Sequence, residues 1–139
     1  MIFANLMVTD ILKSATFYKD VLSMEVTFYV DSQFKDHQHP PEPAADLILA
    51  SLKLGDAQLM LQKDSSLIEE LPEFAGKSPA LTGTIYFRDL SVDDTAARLS
   101  PDQIVKGPFT QWYGMREIYF KDPDGYMICV GEMNGPAPS

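Results

Sequence analysis

Side chains that commonly carry chemistry are scarce in this chain, whose 139 residues include two histidines and one cysteine. His37 and His39 have the H-x-H spacing that places both rings on one face of a strand, where they could bind a metal ion. They stand in a polar segment, just before two consecutive prolines. A solvated loop is therefore the favoured interpretation of this pair.

Cys129 is the one candidate nucleophile. A catalytic cysteine needs a nearby base or a positive environment to form its thiolate, and the flanking Ile128 and Val130 are apolar. A buried structural thiol is the favoured interpretation. The lone cysteine also excludes an internal disulfide and suggests a reducing compartment. The sequence has no glycine-rich phosphate loop, serine-nucleophile motif or paired-cysteine motif.

Aromatic residues form a second candidate group, because Phe109, Trp112 and Tyr113 lie close together among glycine and proline. Such rings can stack on a planar ligand or bind a cation through the ring face. The alternative is that they anchor their own loop or make a dimer contact. Arg116 and Glu117 follow, and strand alternation allows at most one of them to reach a ligand. Alternation does not decide which of the two faces inward. Arg116 is included among the candidates because a buried guanidinium could clamp a carboxylate, and a solvated Arg116 is the equal alternative.

Composition limits the classes of partner. With 11 basic and 20 acidic residues, the net charge is −9. We therefore expect no nucleic-acid partner and no polybasic membrane anchor. The N-terminus does not resemble a secretory signal, and no apolar run reaches the roughly 18 residues of a membrane helix, so we expect a cytoplasmic protein. An acidic surface suits a cationic ligand, although it more often serves solubility.

The elements that must position these residues form one plan twice: a strand, a helix and three further strands. Asp10 and Asp89 are the predicted helix N-caps. Residues 122–125 have the proline and glycine placement of a type I turn. The predicted division is a first module over about 1–63, a connector over 64–80, a second module over about 81–133 and a tail over 134–139. Strands are expected over 2–8, 25–30, 47–54, 57–62, 82–87, 103–106, 115–120 and 126–130, a loop over 32–45 and a short helix over 66–71.

The chain resembles the vicinal oxygen chelate superfamily, the glyoxalase, bleomycin-resistance and dioxygenase group. The resemblance covers residues 2–132 and rests on Val8-Thr9-Asp10 with the helix that follows, and on Tyr119-Phe120-Lys121-Asp122-Pro123-Asp124-Gly125-Tyr126. It implies an α+β fold in which two βαβββ modules form a half-open barrel around a ligand cleft, and it implies a homodimer. Ser23 departs from the family's usual glycine, at a cost of about 1 kcal/mol if the left-handed backbone is kept.

Metal-dependent members of that superfamily place four ligands, typically His, Glu or Gln, on four strands. The resemblance carries these positions to Phe3, Met60, Thr84 and Cys129. A phenyl ring does not ligate, a thioether suits copper(I), and a neutral hydroxyl is a poor ligand. One thiolate does not build a tetrahedral site. We therefore expect no metal and no cofactor.

The expected function is metal-independent binding of a small organic molecule, cationic and aromatic, as in the bleomycin-resistance-like branch; an antibiotic would be one example. We expect no catalytic residue. The alternatives are a superfamily enzyme of lyase, isomerase or dioxygenase type, with its metal ligands at other positions or with no metal, and an interaction module. The residues expected to line the ligand site are Phe3, Asn5, Met60, Gln62, Thr84, Tyr86, Trp112, Arg116 and Cys129.

Overall fold

The computed structural model describes residues 1–42 and 46–133. The expected tail, 134–139, and the end of the expected loop, 43–45, lie outside the described residues. The chain divides into two compact units, the first ending at Pro79 and the second beginning at Ala80. Across the described ranges, no helix has the length and apolar character needed to cross a membrane.

The first unit is a five-stranded mixed sheet with two helices. Its strand order is β1-β5-β4-β2-β3, in which β1 and β5 are parallel and the other pairs are antiparallel. The expected hairpin around Gly55 is confirmed. The elements are β1 (Ala4–Val8), α1 (Ile11–Leu22), β2 (Glu25–Asp31), β3 (Asp36–His37), β4 (Leu47–Leu54), β5 (Ala57–Lys63) and α2 (Asp64–Glu70), with a 3-10 turn at Pro72–Phe74.

Local chemistry sets both ends of α1. The Asp10 side chain accepts a 3.0 Å hydrogen bond from the Lys13 amide, so the predicted N-cap is confirmed. The helix buries an apolar stripe that includes Ile11 and Leu22. Ser23 ends it in the left-handed region, at φ 59° and ψ 25°. The backbone therefore adopts the conformation for which the sequence predicted a cost.

The second unit repeats the arrangement on a four-stranded sheet. Its order, β6-β9-β8-β7, with β6 and β9 parallel, matches the order β1-β5-β4-β2 of the first unit. The expected α+β class with two similar modules is confirmed. The elements are β6 (Ile85–Arg88), α3 (Val92–Ala97), a 3-10 turn (Pro101–Gln103), β7 (Ile104–Thr110), β8 (Met115–Lys121) and β9 (Met127–Met133).

Several sequence predictions were wrong in detail. Asp89 is not the cap of α3: Ser91 is, its Oγ accepting a 3.1 Å bond from the Asp94 amide, while Asp89 has φ 67°. The expected loop over 32–45 contains β3, which pairs with β2. The first strand of each module, β1 or β6, begins later than predicted, because the residues before it have no partner strand. Phe3 and Thr84 therefore lie outside β1 and β6.

Candidate functional site

The two faces of the second sheet have different neighbours. On β8, Arg116 points toward α3, where its Nη1 donates a 2.7 Å hydrogen bond to Oδ1 of Asp93. Glu117, the next residue, therefore points to the opposite face. The strand register places Tyr86 of β6 beside Cys129 of β9, and Cys129 beside Tyr119 of β8, two residues beyond Glu117. We call this side of the sheet, opposite α3, the aromatic face.

The centre of the aromatic face is the Glu117 carboxylate, which is completely buried. Its Oε2 accepts hydrogen bonds from the hydroxyls of Tyr86, at 2.7 Å, and Tyr113, at 2.8 Å. Its Oε1 accepts from Nε2 of Gln111, at 3.1 Å, and from the Tyr119 hydroxyl, at 3.4 Å. Four neutral donors from three parts of the second unit thus converge on one acid; we call these five residues the Glu117 cluster.

Two opposing effects act on the pKa of Glu117. Burial raises it, because the charged form loses its hydration, but the hydrogen bonds from Tyr86, Tyr113, Gln111 and Tyr119 stabilise the carboxylate. The hydrogen bonds prevail, and the pKa of Glu117 lies below its ordinary value. The carboxyl group is therefore ionised at neutral pH.

A glycine makes this geometry sterically feasible. Gly131 of β9 is the register partner of Glu117 and lies between β6 and β8. A Cβ atom at this position would overlap the Tyr86 hydroxyl and lie 3.3 Å from Cε of Met115. Only a residue without a side chain leaves room for Tyr86 to reach across β9 to the carboxylate.

Aromatic rings surround the cluster. Tyr86 is 43% exposed and Trp112 is 85% exposed. Trp112 packs edge-on against Tyr113, with ring centroids 5.2 Å apart. Phe109, a strand residue rather than the expected loop residue, stacks on Tyr119 at 6.3 Å, and Nζ of Lys106 lies 4.5 Å from its ring centroid. The Phe109 ring therefore already contacts one cation of the chain itself.

Cys129, the register partner of Tyr86 and Tyr119, is fully buried. Burial raises the pKa of its thiol to about 11, the negative charge of Glu117 adds to the effect, and a hydrogen bond with Tyr119 opposes it. The thiolate is therefore scarce at neutral pH, and the group does not have the lowered pKa of a nucleophile.

The matching face of the first unit carries amides. Asn5 donates from Nδ2 to Oε1 of Gln62 at 2.9 Å, and Gln62 donates from Nε2 to Oγ of Ser66 at 3.0 Å. Met60 is the register partner of Asn5. The Asn5–Met60 pair joins β1 to β5, and the Tyr86–Cys129 pair joins β6 to β9. The two pairs therefore occupy equivalent positions in the two sheets.

The first unit also has an open cavity of about 250 Å³. Its wall includes Lys63, Ser66, Glu69, Asp46 and Phe34. It contains none of the expected ligand-site residues, and its side chains carry charges of both signs. It therefore shows no single ligand chemistry comparable to that of the Glu117 cluster.

Within the second unit, the structure brings together part of the expected site. Tyr86 and Cys129 share the aromatic face and Trp112 borders it, whereas Arg116 points to the opposite face and pairs with Asp93. Thr84 is exposed ahead of β6.

Phe3 is 41% exposed ahead of β1. Glu117, the centre of the cluster, was absent from the predicted set. The only sequence feature that could have indicated Glu117 was strand alternation, which places Glu117 and Arg116 on opposite faces of the sheet.

The four positions that the resemblance assigns to metal ligands do not fit a divalent cation. They hold a phenyl ring, a thioether, a neutral hydroxyl and a buried thiol with a raised pKa. Among the described residues, no group of three or more His, Cys, Asp and Glu side chains could hold a metal ion. His37 instead contacts Asp31, with 2.7 Å between Nε2 and Oδ2, and His39 is exposed.

Comparisons with known proteins agree on the fold. A glyoxalase/bleomycin resistance protein/dioxygenase family enzyme from Burkholderia phytofirmans is 15% identical with a TM-score of 0.67, and the match covers 94% of this chain and 96% of that one. A lactoylglutathione lyase from Agrobacterium tumefaciens is 21% identical with a TM-score of 0.62, covering 95% and 92%. TioX from Micromonospora sp. is 14% identical with a TM-score of 0.63, covering 95% and 97%.

Sequence comparison is more specific about the family than about the activity. No curated protein matches the chain. The family match spans residues 2–130, nearly the whole chain. The repeated sheets, their parallel first and last strands and this match lead to one conclusion: the chain belongs to the glyoxalase/bleomycin resistance protein/dioxygenase superfamily.

Proposed function

We propose that this protein binds small organic cations that carry apolar or aromatic groups, and that it does so without a metal, as the bleomycin-resistance-like members of its superfamily would. An antibiotic of this chemistry is one candidate ligand. The observation that carries the proposal is the ionised Glu117 carboxylate, whose four hydrogen-bond partners are all neutral. A negative charge held by neutral groups leaves a field that attracts a cation.

The aromatic rings support the same chemistry. Tyr86 and Trp112 present exposed ring surface beside the charge, and ring faces attract cations while they also bury apolar area. The net charge of −9 adds a long-range attraction for positive ligands. An anionic ligand would be repelled both by the Glu117 carboxylate and by the negative net charge.

Catalysis by a superfamily enzyme is the alternative, and the titration behaviour of the cluster argues against acid–base chemistry there. An efficient general acid or base has a pKa near the working pH. The pKa of Glu117 is lowered, whereas burial and Glu117 raise the pKa of Tyr86 far above its ordinary value, and the pKa of Cys129 is about 11. These groups suit a fixed electrostatic surface better than a proton relay.

A titration with matched ligands tests the proposal. Trp112 is the only tryptophan, so its fluorescence reports on the aromatic face. We expect a planar aromatic cation such as benzamidinium to change this fluorescence saturably, and an uncharged ring of the same size to bind far more weakly. Equal binding of the two, or a saturable response to an anionic ring alone, would contradict the proposal.

Two variants show whether Glu117 is responsible. Glu117→Gln keeps the shape of the side chain but removes its charge, and we expect it to weaken cation binding. Glu70→Gln makes the same change of net charge at an exposed position on α2 of the first unit, and we expect it to leave binding unchanged. If both variants weaken binding equally, the effect belongs to net charge and not to the Glu117 cluster.

A further inference from the structure

The hydroxyl protons of Tyr86 and Tyr113 already form hydrogen bonds to Glu117. A tyrosine hydroxyl has one proton to donate and two lone pairs that accept. Tyr86 and Tyr113 both donate to Oε2 of Glu117, at 2.7 and 2.8 Å. The ionised carboxylate has no proton to give, so the direction of both hydrogen bonds follows from the chemistry of the groups.

The remaining hydrogen-bonding capacity of these two side chains is therefore accepting. Both hydroxyl oxygens keep lone pairs, whereas Gln111 keeps its carbonyl oxygen as an acceptor and the second N–H of Nε2 as a donor. A ligand that lies against the two hydroxyls therefore meets acceptors and a negative charge. It needs N–H or O–H donors to satisfy them.

Exposure makes this part of the cluster available to a ligand. Tyr86 is 43% exposed, and Tyr113 and Gln111 are half-buried. A cation without donors would gain the charge and ring contacts, yet it would leave the hydroxyl lone pairs that it covers without a hydrogen bond, which is costly. A cation with donors avoids that cost.

We propose that the ligand of this site is a cation bearing its own N–H donors, such as a primary ammonium, amidinium or guanidinium group, and that Tyr86 and Tyr113 select it over fully alkylated ammonium ions. This inference rests on the proposed function and names the chemical class within it. Glu117 supplies the charge, and the two hydroxyl oxygens supply the discrimination.

The test measures the affinity of the unmodified protein for benzamidinium, benzylammonium, benzyltrimethylammonium and benzyl alcohol by calorimetry. We expect the two N–H cations to bind about tenfold more tightly than the trimethylated one, as one or two added hydrogen bonds would produce. If the trimethylated cation binds as tightly or more tightly, the inference is overturned while the proposed function stands. If no cation binds better than the alcohol, the proposed function itself is wrong.

Variants locate the discrimination. Tyr86→Phe and Tyr113→Phe each remove one acceptor and keep the ring, so we expect them to weaken benzamidinium binding while benzyltrimethylammonium binding stays nearly constant. Tyr29→Phe, which removes a buried hydroxyl of the first unit, is the matched control and should change neither affinity. An unchanged ratio in both Tyr86→Phe and Tyr113→Phe would overturn the assignment of these hydroxyls.

Discussion

The Tyr86 hydroxyl reaches Oε2 of Glu117, at 2.7 Å, by passing over Gly131 of the intervening strand. The tyrosine stands on β6 and the acid on β8, and β9 lies between them. A side chain can span this distance only where the middle strand presents none. The cluster therefore depends on three adjacent strands and on the absence of a side chain at Gly131.

The first prediction concerns that glycine. Gly131→Ala should displace the Tyr86 hydroxyl, lower the pKa of Tyr86 as its contact with Glu117 is lost, and destabilise the protein by about 2 kcal/mol through overpacking. Tyrosinate absorbance titration and urea unfolding measure the two effects. Gly83→Ala is the control, because a Cβ there meets nothing within 4 Å. Matching behaviour of the two variants would refute the steric argument.

The second prediction concerns the charge of Glu117. Burial is the largest cause of the raised pKa of Tyr86, and the hydrogen bond and charge of Glu117 add to it. Glu117→Gln should therefore lower the pKa of Tyr86 and of Tyr113, as seen by tyrosinate absorbance. Tyr126, whose pKa of about 12 comes from burial and from Asp122 and Asp124, should titrate as before. A uniform shift of all tyrosines would indicate unfolding instead.

The third prediction is the acid dependence of stability. The pKa of Glu117 is lower in the folded protein than its ordinary value, so its contribution to stability is present above the unfolded pKa and is lost as pH falls through the folded pKa. Unfolding free energies of the wild type and Glu117→Gln should therefore converge as the solution is acidified below the unfolded pKa. A difference that stays constant across this range would show that the carboxylate is not preferentially ionised in the fold.

The fourth prediction separates Arg116 from the site. Its hydrogen bond to Asp93 joins side chains that are 25% and 75% exposed, and such pairs contribute about 1 kcal/mol or less. Arg116→Gln should thus change stability slightly and leave benzamidinium affinity unaltered. A large change in benzamidinium affinity would contradict the placement of Arg116 on the face opposite the Glu117 cluster.

The fifth prediction addresses the end of α1. Ser23 holds φ 59°, a conformation that costs a residue with a Cβ about 1 kcal/mol. Ser23→Gly should stabilise the protein by roughly 0.5 to 1 kcal/mol, since glycine's greater freedom in the unfolded chain offsets part of the gain. Thermal unfolding gives the answer, and a lowered Tm would show that the serine makes a contact worth more than the strain.

Local chemistry made much of the fold predictable from the sequence. The Asp10 cap, the helix after it, the hairpin around Gly55 and the turn closed by the 3.0 Å bond from the Gly125 amide to the Asp122 carbonyl each depend on residues within a few positions of one another. The repeated order of elements was also readable from the sequence, and the matching strand orders of the two sheets confirm it. The resemblance added the superfamily, which the family match confirms. Cys129 entered the expected site as a ligand position carried over from the resemblance, and strand alternation from Thr84 added Tyr86.

Only the tertiary structure decided which neighbour, Arg116 or Glu117, lies on the aromatic face. Alternation requires the two to point in opposite directions, but it does not say which direction is which; that depends on the face where α3 packs. The convergence of Tyr86, Tyr113 and Glu117 depends likewise on the pairing of strands distant in sequence. Short-range preferences determine elements, whereas the partners of a buried charge are set by the packing of one element on another.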